Sequence, residues 1–139
     1  MNWENNTCEW IPTAGCALLK TGLWFDAIRV PGTAGDRVAF LLAADCAGEP
    51  GPVVGELIGP RRLSFLLPPR SAPRYDWPPI AESHGRYAED VATFIGIPAL
   101  AGYTWPLFWF ARPTAERPFV DPALLHGKLQ TEANAHAPS

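Results

Sequence analysis

The chain predicts an α+β fold: a single mixed, mostly antiparallel sheet with two or three helices packed on one face. Three observations carry this. The run Arg61-Arg62-Leu63-Ser64-Phe65-Leu66-Leu67-Pro68-Pro69 follows Gly59-Pro60 and ends in two prolines. Leu63, Phe65 and Leu67 share one face at period two and Leu66 lies on the other, as in a strand buried on both sides. The two prolines cannot donate ladder hydrogen bonds and end it sharply. Further short apolar runs precede and follow it, which makes it a central rung. Few segments have helical period, and helices do not alternate regularly with strands, so one sheet with helices on one side is the economical arrangement.

Composition bounds the rest. A chain of 139 residues buries roughly two thirds of its unfolded surface and forms one domain over residues 1–130, followed by a disordered tail over 131–139. Sixteen prolines and twelve glycines predict short elements and many loops. The net charge of −3 gives no overall field for a polyanion, so nucleic-acid binding is disfavoured. The opening Met1-Asn2-Trp3-Glu4-Asn5 lacks the basic and apolar regions of a signal peptide. No run reaches the ~20 apolar residues of a membrane span, so no membrane partner is expected. Cys8, Cys16 and Cys46 are odd in number and lack Cys-x-x-Cys spacing. Neither a zinc site nor a disulfide framework fits, although a Cys8–Cys16 link across a turn stays open. The expectation is a reduced, cytoplasmic protein without metal or cofactor.

In chain order, Trp3 and Trp10 stand in a polar N-terminal arm and are expected to dock on the domain or on a partner. Thr13 can cap a short helix through Ala17, Leu18, Leu19 and Lys20, closed by Gly22. The stretch from Trp24 to Pro31 reads as the first strand. Thr33 and Asp36 have capping-box spacing, and Ala34, Val38, Leu41 and Leu42 form one helical stripe that fades at Gly48. Val53, Val54, Leu57 and Ile58 make a short strand, and Gly59-Pro60 turns into the central one. Residues 68–80 form a proline-rich loop, long enough to suggest function. Residues 81–90 are polar, 91–97 read as a strand, and 103–111 as a strand packed on both sides. Asp121-Pro122 opens the last helix, with Leu124, Leu125 and Leu129 on its buried side. The strand–helix–strand step over residues 24–58 suits a parallel crossover.

Four groups of residues carry candidate chemistry. Asp26 and Arg29 lie within an apolar strand, either as a charged pair at the bottom of a pocket or as charges that stay near the strand edge or pair with neighbours. Arg61, Arg62, Arg70, Arg74 and Arg86 are interleaved with Tyr75, Trp77 and Tyr87. Arginine with aromatic rings suits phosphate gripping, base stacking or a protein-binding loop. His84, near Asp76, Glu82, Glu89 and Asp90, has the composition of a His–carboxylate acid–base pair, or is an exposed loop histidine. Trp105, Phe108, Trp109 and Phe110 either line a small-molecule pocket or fill the core of a sheet.

Three segments resemble the N-terminal domain of bifunctional DNA primase/polymerases (prim-pol), in particular its short degenerate relatives in high-GC bacteria. They are Trp24-Phe25-Asp26-Ala27-Ile28-Arg29-Val30-Pro31, the central strand with its proline exit, and Arg117-Pro118-Phe119-Val120-Asp121-Pro122-Ala123-Leu124-Leu125. The resemblance spans residues 23–130. A polymerase of that kind needs paired carboxylates for two divalent metals, and no Asp-x-Asp or Glu-x-Glu occurs here. The family's nucleotide-contacting histidine is missing as well, with Arg62 or Leu63 near its place. The resemblance thus implies a reduced prim-pol-like fold without catalytic metal. The expected function is a non-catalytic interaction or regulatory module acting through Arg29, Arg62, Arg70, Arg74, Tyr75, Trp77 and Arg86 on a protein partner or a second copy. The alternative is a small enzyme or small-molecule-binding protein using an aromatic pocket with Asp26, Arg29 and His84, and Asp26 and His84 as its catalytic groups. Nucleotide or nucleic-acid binding is a third reading, resting on the resemblance and the arginines.

Overall fold

The computed structural model describes residues 9–85 and 93–135. In chain order it holds β1 (Cys16–Lys20), β2 (Asp26–Pro31), α1 (Gly32–Asp45), β3 (Val53–Glu56), β4 (Arg62–Leu67), β5 (Glu82–His84), β6 (Phe94–Pro98), β7 (Leu107–Ala111) and α2 (Pro122–Ala135). The α+β class is as the sequence predicts. The strands, however, divide between two sheets: a five-stranded one ordered β5-β2-β4-β3-β7, and a two-stranded ribbon of β1 and β6. Every neighbouring pair is antiparallel, so neither sheet is mixed. The reason lies in β4, which inserts between β2 and β3 and pairs antiparallel with both. β2 and β3 therefore run parallel to each other, with α1 connecting them and β4 between, a split β-α-β unit. As the middle strand of five, β4 is the expected central rung.

Alternation along the strands builds two cores. Ile28 and Val30 of β2 and Leu63, Phe65 and Leu67 of β4 face Val38, Ala39 and Leu42 of α1 and Leu125 and Leu129 of α2. On the opposite face Phe25, Ala27, Val54 and Leu66 pack against Ile95 and Ile97 of the ribbon, with Trp10 and Ile11. The result is three layers: helices, large sheet, ribbon. The Trp10 ring lies 5.2 Å from that of Phe25, so it docks on the body of the domain as expected. Trp3 lies outside the described residues.

Several local expectations change. Residues 16–20 form a strand, not a helix. A run of four apolar residues does not fix a period by itself, and here β6 supplies the backbone partners: Ala17 and Leu19 face inward opposite Ile97 and Ile95. α1 starts at Gly32 and its N-cap position is Pro31, with no side-chain cap, so the Thr33–Asp36 capping box does not form. Its buried stripe is Gly35, Val38, Ala39 and Leu42, one residue round from the expected one, and Leu41 is exposed. The left-handed cap position falls on Ala47, at φ +53°, one residue before the expected Gly48, whose N–H bonds the Ala43 carbonyl. Leu57 and Ile58 leave β3 for an exposed turn. Asp121 caps α2 as expected, its Oδ1 accepting from the N–H groups of Ala123 and Leu124. That helix does not stop at Gln130 but continues to Ala135, because Glu132 is buried and paired with Arg37 of α1 at 2.6 Å.

Candidate functional site

Residue parity on each strand decides which polar groups meet. Ile28 and Val30 point to the helices, so Asp26 shares their face and Arg29 takes the other. A spacing of three places two strand residues on opposite faces, so Asp26 and Arg29 do not form a charged pair and each instead pairs with neighbours, Asp26 with the Ala72 N–H and Arg29 with Glu56. Asp26 is fully buried where the sheet meets the loop after β4. Its Oδ2 accepts the Ala72 N–H at 2.9 Å, and the backbone N–H groups of Arg70 and Ser71 also point to this carboxyl. Burial pushes its pKa above the ordinary aspartate value, against the opposing pull of those donors and of the Arg70 charge. Asp26 thus fastens the 3₁₀ turn Ala72–Arg74 to β2.

The other face of the large sheet carries a charged island beyond the apolar contact with the ribbon. Arg29 lies opposite Ser64 on β4 and Glu82 on β5. Glu56 lies opposite Arg62. The Arg29 guanidinium crosses β4 to reach Glu56, Nη2 to Oε1 at 3.7 Å, while Arg62 Nε donates to Glu56 Oε2 at 3.0 Å. His84 is on the same face of β5 as Glu82, with Nε2 and Oε2 3.5 Å apart, too long for a well-formed hydrogen bond. The side chains of Arg29 and His84 are only 13% and 19% exposed. Among the described residues, Arg29 Nε and His84 Nε2 are both buried without a hydrogen-bond partner.

Electrostatics follow from this packing. Burial lowers the Arg29 pKa, the Arg62 charge adds to that, and Glu56 and Glu82 oppose it. Burial and then the Arg29 charge hold the His84 imidazole below its ordinary value, with Glu82 pulling the other way. Two arginines and two glutamates cancel in formal charge. The island is therefore a set of directed donors and acceptors without a net field.

The remaining site residues lie elsewhere. Tyr75 and Trp77 pack with His126 of α2, ring centroids 5.4 to 5.5 Å apart. Trp77 Nε1 donates to the Ala72 carbonyl and His126 Nε2 to that of Asp76. These rings thus anchor the proline-rich loop to the domain. Arg70 and Arg74 are exposed on that loop, Arg61 pairs with Asp36 at 3.3 Å, and Arg86 lies outside the described residues. The aromatic block is split by parity: Phe108 and Phe110 join the helix-side core and Trp109 the ribbon-side one. Trp105 is exposed, so the block does not line one pocket. A groove of about 410 Å³ lies between the start of α1 and Glu132, and one of about 260 Å³ beside Arg112 and Thr114. Neither is lined by Asp26, Arg29 or His84.

Sequence reasoning missed Glu56 and Ser64, and named Glu82 only as one of four carboxylates near His84. Glu56 and Arg62 flank a Gly59-Pro60 turn, and hairpin pairing across it would have found that contact. Glu82 and His84 needed β5, whose polar composition hides a strand. No group of three His, Cys, Asp or Glu side chains gathers for a metal among the described residues, and no described helix is long and apolar enough to cross a membrane. No family model, curated protein or solved structure matches the chain.

Proposed function

We propose that the chain is a small binding module whose recognition surface is the charged island of the large sheet, with Arg29 at its centre. The observation that carries this is the Arg29 guanidinium. It is largely buried and held in place by Glu56, yet its Nε–H has no partner among the described residues. A buried donor without an acceptor costs about 1–3 kcal/mol. A ligand oxygen placed against it recovers that cost, with the added strength of a charged donor. Arg62 and His84 lie beside it, and Glu56 and Glu82 supply acceptors for donors on the same ligand.

The cancelled charge favours a small or locally anionic ligand over a long polyanion. Nucleic acid is gripped by surplus cations along a groove, and here each arginine has a carboxylate close by. The loop over residues 68–80 is less suited to recognition than its composition suggests, since Tyr75 and Trp77 spend their ring surface on His126.

A thermal-shift and calorimetric screen of the whole chain against small carboxylates, phosphate monoesters and amino acids tests this. A hit should saturate at one site and be lost in Arg29→Gln, with Arg74→Gln unaffected. Ligands that bind Arg29→Gln as tightly as the parent chain would remove the island from consideration.

A further inference from the structure

We propose that Arg29 and His84 together form an oxyanion seat gated by a proton, taking a sulfate-, phosphate- or carboxylate-type group more tightly as the pH falls. This deepens the binding reading above and rests on it. The geometry supplies two nitrogens on one sheet face, Arg29 Nε from β2 and His84 Nε2 from β5, both buried and without a hydrogen bond among the described residues, the imidazole nitrogen facing Glu82 Oε2 at 3.5 Å. β5 pairs with β2 through Ala27–His84 and Arg29–Glu82, so His84 and Arg29 are diagonal neighbours on adjacent strands. That spacing lets one tetrahedral or planar anion reach both.

The proton decides the affinity because of what surrounds the imidazole. The charged groups of the island are Arg29 on β2, Glu56 on β3, Arg62 on β4 and Glu82 on β5, while Arg74 belongs to the 3₁₀ turn that Asp26 fastens on the opposite side of the sheet. Asp26 points to the opposite face and contributes no acceptor here. Without a ligand, burial and then the charges of Arg29 and Arg62 disfavour protonation of His84 and hold its pKa below the ordinary value. A bound anion reverses that balance. Protonated His84 then donates from both ring nitrogens, and the anion offsets all three cations. Glu82, whose carboxylate lies nearest His84 Nε2, occupies the place an incoming anion would take. Its side chain is 60% exposed and free to swing into water, so it acts as a built-in competitor.

Sulfate is the probe, because its own charge is constant over the range in which histidine titrates, about pH 5 to pH 8. Binding to the full chain should be roughly tenfold tighter at the acid end, the equivalent of one charged hydrogen bond. In NMR titrations sulfate should raise the pKa of the His84 ring. His84→Gln should bind sulfate with the weak affinity of the parent at high pH and show no pH dependence. Glu82→Gln, a substitution at an exposed side chain, should bind more tightly at every pH. Arg29→Gln should abolish binding. Sulfate binding that needs Arg29 but ignores pH would overturn the seat while leaving the binding surface intact. No Arg29-dependent binding at either end of the range would overturn both.

Discussion

Arg29 reaches Glu56 across a whole strand: Nη2 lies 3.7 Å from Oε1, and β4 runs between the two residues. Adjacent strands are about 4.8 Å apart, so the bridge spans about 10 Å of sheet. The residue beneath it is Ser64, opposite both Arg29 and Val54 and 2% exposed. A small side chain at that position leaves room for the guanidinium to cross β4.

Ser64→Leu should therefore displace Arg29 from Glu56. Overpacking at a buried site typically costs about 1–3 kcal/mol, and the urea midpoint should fall accordingly. Ser64→Ala leaves the passage open and should move the midpoint much less. If both variants behave alike, room for the bridge is not what position 64 provides.

Asp26 gives a pH signature. Its folded-state pKa is raised above the ordinary value of 3.8 by burial. The folded state then holds this proton more tightly than the unfolded chain. Its contribution to stability is fully present below the unfolded pKa and is lost as pH rises through the folded one. Asp26→Asn removes that loss, so the variant should gain on the parent chain as pH rises from about 4 towards neutrality. Denaturant titrations of the two proteins at matched pH values measure the difference. Asp26→Ala strands the Ala72 N–H and should cost about 1–3 kcal/mol at acid pH, with the deficit shrinking as pH rises and the parent loses the contribution of its protonated carboxyl.

Gly55 is pressed by a ring. A Cβ built there would come 2.2 Å from Phe108 Cζ of the neighbouring strand. Gly55→Ala should destabilise the fold by about 1–3 kcal/mol through displacement of that ring. In the Phe108→Leu background the same substitution should cost clearly less, a coupling of about 0.5 kcal/mol or more in a double-mutant cycle. Strict additivity would show that the ring moves aside freely.

The last turn of α2 ties the helix layer together through Glu132 and Arg37, Nη2 to Oε1 at 2.6 Å. A chain ending at Gln130 loses this buried carboxylate and the helical turn that carries it. Its melting temperature should fall by several degrees, at about 4 °C for each kcal/mol lost in a chain of this size. An unchanged melting temperature would mean that residues 131–135 add nothing to the packing of α1.

Patterns of hydrophobicity and turn chemistry within single segments were enough for the α+β class, for β4 as the central strand and for the Asp121 cap of α2. These depend on local periodicity and on a side chain that accepts from the free N–H groups of a helix start. The helix expected over residues 17–20, the single sheet and the disordered tail as far as residues 131–135 failed for the opposite reason. A short apolar run, a polar strand such as β5, and a helix end held by one buried glutamate are settled by distant partners: β6, β2 and Arg37. The same holds for the site. Arg29, Arg62 and His84 stood out by their chemistry, but only the antiparallel register put them on one face with Glu56 and Glu82 and turned Asp26 to the other. Side-chain direction alternates strictly along a strand, whereas the neighbour across the ladder depends on which strands pair.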